Sequence, residues 1–270
     1  MILVELDGEA RIYPIQVLIW HEIVNDTVGE TPVAVTFCPL CSTALVFERI
    51  LDGRLLDFGT TGNLRNSDLV MFDRQTETWR QQFGGEAIVG ELTGSELTQV
   101  PTRLIAWDEA REAQPDAAVL SRDTGFARPY GQNPYVGYDD IDRPPFFPVA
   151  NEDDRLNPKE RVVFIENGGE AIAVPLSALE EVGQIDAPVG GRDLVVAFEG
   201  GVRSALDSDS IAASRDVGSA TVREAATQDL VAFDIPFWFA VGAFAPDAVI
   251  VTEWDHIAEN ESPCCDWGSN

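Results

Sequence analysis

Apolar positions fall in short runs broken by glycine, aspartate and asparagine, and the runs change period along the chain. Met1-Ile2-Leu3-Val4-Glu5-Leu6 reads as a strand already begun, and a second short β segment leads through Pro14 into a helix. Proline suits a first helical turn, where its missing N–H costs nothing. Ile15, Leu18, Ile19, Glu22 and Ile23 then recur at an approximately helical spacing. A buried strand is predicted over 33–37, with shorter ones near 43–49, 54–58, 68–73 and 86–89. A helical turn follows Trp107, and Ala117-Ala118-Val119-Leu120 closes the series as a strand. Many short strands with few helices predict a β-rich α+β fold.

The series recurs. At a shift of 161, Gly8-Glu9-Ala10 falls on Gly169-Glu170-Ala171, Pro14 on Pro175, Phe37 on Phe198 and Ala44-Leu45 on Ala205-Leu206, without a gap. At a shift of 131, Trp107 falls on Trp238 and Pro115 on Pro246, each followed by a similar apolar strand. Ordered landmarks in one register predict an internal duplication. The expected organisation is a first repeat over 1–125, a connecting strap over 126–159, a second repeat over 160–255 and a polar, frayed tail over 256–270 with Cys264 and Cys265. The strap holds Tyr130, Tyr135, Tyr138 and Pro144-Pro145-Phe146-Phe147-Pro148, and either ties the halves together or covers a site.

Composition narrows the classes. With 270 residues and 45% hydrophobic content the chain can bury a substantial core. Its net charge of −28 comes from 46 acidic against 18 basic residues, and Lys159 is the only lysine. Such acidity lacks the basic footprint that nucleic acid or an anionic membrane surface needs. It fits a protein adapted to molar salt, where screening relieves self-repulsion. No apolar run approaches the roughly 20 residues of a membrane span. No secretory signal precedes the first strand, which suggests a trimmed or mis-set start.

The sharpest chemical signal is Cys38-Pro39-Leu40-Cys41 at the end of the apolar strand Pro32 to Phe37. His21, one of two histidines, lies upstream in Trp20-His21-Glu22. A two-residue gap lets both thiolates reach one ion, and thiolates with imidazole suit copper ahead of zinc. Met71 offers a thioether as an additional donor. At the shift of 161, His21, Cys38 and Cys41 fall on Val182, Glu199 and Val202, so the site is expected in the first repeat alone. One alternative is a Cys38/Cys41 thiol–disulfide couple, although Thr43-Ala44-Leu45-Val46-Phe47 after it reads as a strand and not as the helix that would activate a thiolate. Another is a noncatalytic extracellular module in which Trp79, Trp107, Gln81, Gln82 and the tyrosines take a neutral ligand or carbohydrate. The first two readings imply a metal donor or acceptor, or a redox partner protein. No nucleotide-binding loop or serine-hydrolase pattern is present.

Gly8-Glu9-Ala10-Arg11-Ile12-Tyr13-Pro14, Trp20-His21-Glu22-Ile23-Val24-Asn25-Asp26, Cys38-Pro39-Leu40-Cys41 and Asn66-Ser67-Asp68-Leu69-Val70-Met71-Phe72-Asp73-Arg74, in that order, resemble the DUF3179 family of uncharacterised proteins, in a haloarchaeal-type form. The resemblance continues through Trp79, Gln82 and the tyrosine segment and weakens towards Trp238. It implies an extracytoplasmic location, because many members carry export signals, and it implies no activity.

Overall fold

The opening alternation folds as a hairpin, Ile2–Leu6 against Glu9–Tyr13, with Ile2 opposite Tyr13 and Leu6 opposite Glu9. This computed structural model describes residues 1–251; the expected tail at 256–270, with Cys264 and Cys265, lies outside the described residues. Pro14 hands the hairpin to the helix Ile15–His21 with φ −65°, and its carbonyl accepts from the Val17 and Leu18 N–H groups. The helix buries Val17, Leu18 and Ile19, which holds it against the sheets. A second hairpin, Ile23–Val28 with Thr31–Thr36, is extended by Val46–Glu48. Arg103–Leu104 and Ala118–Val119 flank the first hairpin, and the helix Trp107–Ala113 links them.

A similar order of elements follows in the second half, where the first hairpin and its helix fall at the shift of 161. Val162–Asn167 pairs with Glu170–Pro175, so that Val163 faces Val174 and Asn167 faces Glu170. The helix Leu176–Val182 follows Pro175, and Gln184–Asp186 pairs with Leu194–Glu199 and then Ser219–Glu224. Even single bonds recur: Gly29 N–H donates to Glu9 Oε2 and Gly190 N–H to Glu170 Oε2, both at 2.9 Å. The helix Trp238–Phe244 leads to Val249–Ile250, whose Ile250 lies parallel to Ala173 as Val119 lies parallel to Ile12. The fold is β-rich, as the sequence predicts.

One sheet has no such counterpart among the described residues. Phe58–Arg65, Asp68–Asp73, Trp79–Gln81 and Ala87–Val89 form a four-stranded antiparallel sheet in the first half. It accounts for most of the difference between the two shifts, 161 − 131 = 30 residues. The expected strands at 68–73 and 86–89 are there, while Phe58–Arg65 escapes sequence reading because Gly59, Gly62 and Asn63 interrupt its apolar pattern.

No helix or strand occurs between 120 and 161. Here the chain bonds to residues on both sides. Tyr138 is buried and its N–H donates to Leu206 O, while Ser67 Oγ donates to Phe147 O. Lys159 is buried too, its Nζ donating to Tyr138 O at 2.6 Å and lying 3.1 Å from that ring's centroid. Burial pulls its pKa down to about 7, with Asp139 opposing the shift. Trp238 is completely buried in the main core, its indole N–H donating to Asp153 O. No helix is long and apolar enough to cross a membrane among the described residues.

Candidate metal centre

The strand Thr31–Thr36 delivers Phe37 and Cys38 into a tight turn. Cys38 N–H donates to Thr43 O at 2.9 Å, and Ser42 takes φ 63° to close the reversal. The second half braces this turn from behind. Phe237 N–H donates to Cys41 O, Arg161 Nη1 to Ser42 Oγ, and Ala44 N–H to Asp234 Oδ1. Cys38 and Cys41 are free thiols, 1% and 0% exposed.

The third member comes from the unmatched sheet. Asn66 and Ser67, at φ 50° and 61°, turn the chain so that Asp68 opens the strand Asp68–Asp73 with its carboxylate facing the cysteine turn. Ligand atoms of Cys38, Cys41 and Asp68 all lie within 4.8 Å of one another. Cys41 Sγ donates to Asp68 Oδ1 at 2.8 Å, and Asp68 Oδ2 accepts from Phe83 N–H and from the Gln81 amide. These donors hold the carboxylate in one orientation.

The Cys41 sulfur sits in a polar network. Thr43 Oγ1 gives its hydrogen to Gln82 Oε1 at 2.6 Å, so towards Cys41, 3.0 Å away, it can only accept. Gln82 is in turn fixed by donating to Thr36 Oγ1. The Cys41 sulfur thus lies against three oxygens, those of Asp68 and Thr43 and, at 3.9 Å, the Cys38 carbonyl. Burial pushes the Cys38 thiol up and the Cys41 thiol well up from their ordinary values. Burial also raises Asp68, against the hydrogen bonds from Cys41, Phe83 and Gln81. In the free protein the two thiols hold their protons; a cation can replace them, because thiolate is stabilised by the ion's own charge and the Asp68 carboxylate stands beside it. Cys38, Cys41 and Asp68 form a group able to hold a metal ion.

His21 and Met71, the other donors expected from the sequence, are not brought to this group. His21 Nε2 meets the Tyr130 hydroxyl at 2.6 Å, with the Phe126 ring centroid 5.6 Å away. Burial and then Arg128 lower its pKa, which favours a neutral imidazole bonded to the connecting segment. Met71 is fully buried in the main core, three residues beyond Asp68, so strand alternation puts it on the opposite face from the carboxylate. Gln81 and Gln82 are buried in the polar network around Asp68 and Thr43. Trp107 and Tyr130 line a cavity of about 690 Å³ that also reaches Phe37, Ser42 and Arg161; Trp79 lies outside it. Asp68 stands in the sequence only as part of the motif over 66–74, with nothing in its spacing from the cysteines to mark it as a donor.

The model of a family described as a protein of unknown function (DUF3179) matches residues 1–248. No curated protein and no solved structure matches the chain.

Proposed function

We propose, for a chain that belongs to the DUF3179 family by that match, that Cys38, Cys41 and Asp68 bind one borderline transition-metal ion, and that this is its principal chemistry. The carrying observation is that one ligand atom from each of these three buried residues lies within 4.8 Å of the others. Copper ahead of zinc rested on His21 and Met71 as donors. With two thiolates and a carboxylate as the donor set, zinc moves ahead, since Zn²⁺ accepts sulfur and oxygen ligands together. The thiol–disulfide reading is weaker. Exchange needs an accessible sulfur with thiolate character, and burial denies both. Elemental analysis of freshly purified protein beside a Cys38→Ser/Cys41→Ser variant tests the proposal. About one equivalent of zinc or copper is expected in the parent and none in the variant; equal content in the two ends the ligand assignment.

We also propose that the halves descend from one duplicated unit, with the metal site assembled in the first alone. The positions of Cys38 and Cys41 are Glu199 and Val202 in the second half, and the sheet that carries Asp68 has no counterpart there among the described residues. Superposing residues 9–45 on 170–206 in an experimental structure checks this, and different topologies would reject it.

Salt adaptation is proposed on the charge alone. A net charge of −28 repels itself less as the screening length falls from about 10 Å at 0.1 M to about 3 Å at 1 M salt. The melting temperature should rise steadily from dilute buffer to molar KCl. A flat or falling series rejects the adaptation.

A further inference from the structure

Glu22, which ends the helix Ile15–His21, has φ 61° and ψ −35°, a backbone conformation that side chains other than glycine disfavour. The second half supplies an internal control. Gly183, at the equivalent position, has φ 80° and ψ −35°. Its N–H donates to Leu179 O as Glu22 N–H donates to Leu18 O, and its carbonyl accepts from Phe198 N–H as that of Glu22 accepts from Phe37 N–H. One half puts glycine where the backbone asks for it. The other holds a glutamate in the same conformation, at a cost in stability.

The side chain offers a reason. Phe37, bonded to the Glu22 carbonyl, immediately precedes Cys38, so Glu22 lies across the strand pair from the entry to the cysteine turn. Glu22 is half-buried, yet its carboxylate has no hydrogen-bond donor and no cationic partner among the described residues. Burial raises its pKa, followed by repulsion from Asp68, and the same Glu22 charge acts on Tyr135 together with that of Cys38.

We propose that Glu22 is the fourth donor of the Cys38/Cys41/Asp68 site, a reading that rests on metal binding there. Its carboxylate swings onto the ion when the site is loaded, giving two sulfur and two oxygen ligands. Four anionic donors on a divalent ion carry the same net charge as a four-cysteine zinc site. His21, the last residue of the helix, is bonded to Tyr130 instead.

The test compares the full chain with Glu22→Gly and Glu22→Gln. Three measurements are made: metal-free melting temperature, Zn²⁺ affinity by competition with a chromophoric chelator, and the visible spectrum of the Co²⁺ form. Glu22→Gly should melt higher than the parent without metal, because it relieves the backbone, and yet bind Zn²⁺ roughly 10–100-fold more weakly. Glu22→Gln keeps the strained backbone and should lose affinity without gaining stability. Both should weaken or shift the intense visible bands of four-coordinate Co²⁺. Parent-like affinity and spectra in both variants would overturn the assignment of Glu22 and leave the three-residue site standing. A parent that binds neither Zn²⁺ nor Co²⁺ would remove the metal reading itself, and this assignment with it.

Discussion

Saturating the metal-free protein with Zn²⁺ is expected to raise its melting temperature by roughly 8–16 °C. A ligand that binds only the folded state at about 1,000 times its Kd adds about 4 kcal/mol, and a domain of this size gains about 2–4 °C per kcal/mol. The gain should depend on pH with a definite sign. Loading displaces protons from Cys38 and Cys41, whose thiols burial holds above their ordinary values, and burial raises Asp68 as well. Protons therefore compete with the ion, and the Zn²⁺-induced shift should shrink as pH falls from 8 to 6. Melts with and without Zn²⁺ at three pH values measure this, with the Cys38→Ser/Cys41→Ser variant alongside. An equal shift in that variant, or a shift that grows on acidification, would count against the site.

Asp234→Asn is expected to flatten the loss of stability between about pH 4 and pH 7. Asp234 reaches from the second half to the cysteine turn, where Oδ1 accepts from the Ala44 and Ile235 N–H groups. Oδ2 is buried without a partner, and burial drives the carboxyl from its ordinary 3.8 to about 7. Between those values the folded state holds a proton that the unfolded state has released. Stability is thus greatest below pH 4 as far as this group is concerned, and falls as pH rises through 7. Roughly three pK units at about 1.4 kcal/mol each put the loss near 4 kcal/mol. Asparagine keeps the Oδ1 acceptor and cannot ionise, although its amide enters the place of an unpaired oxygen and costs about 1–3 kcal/mol at all pH values. The difference in unfolding free energy between parent and variant, from urea melts at pH 4.5 and 7.5, should therefore move by several kcal/mol in favour of the variant at the higher pH. Parallel pH profiles would show that the carboxyl does not titrate in this window.

The elements that local pattern specifies were readable along the chain. Pro14 and Pro175 each open a helix, Trp107 and Trp238 begin the later ones, and the Pro32–Phe37 run leads into the cysteine turn. In each case neighbours in sequence make the decision: proline fixes φ, and apolar spacing selects the face to bury. The order of motifs placed the chain in its family, and the spacing of Cys38 and Cys41 singled out the turn that the fold then buried.

Tertiary structure alone decided who joins the cysteines. Asp68 lies in a family motif, but nothing in the sequence ties it to the cysteines, and it reaches Cys41 only because a glycine-interrupted strand, Phe58–Arg65, folds back through Asn66 and Ser67. His21 and Glu22 are adjacent, and only the exit of the helix decides that the imidazole meets Tyr130 while the Glu22 carbonyl accepts from Phe37 N–H at the entry to the turn. Asp234 lies 190 residues from the Ala44 N–H that it accepts. Periodicity assigns a residue to a face of its own element, but contact between elements depends on how the faces pack, and burial there sets which protons are held and which groups await a cation.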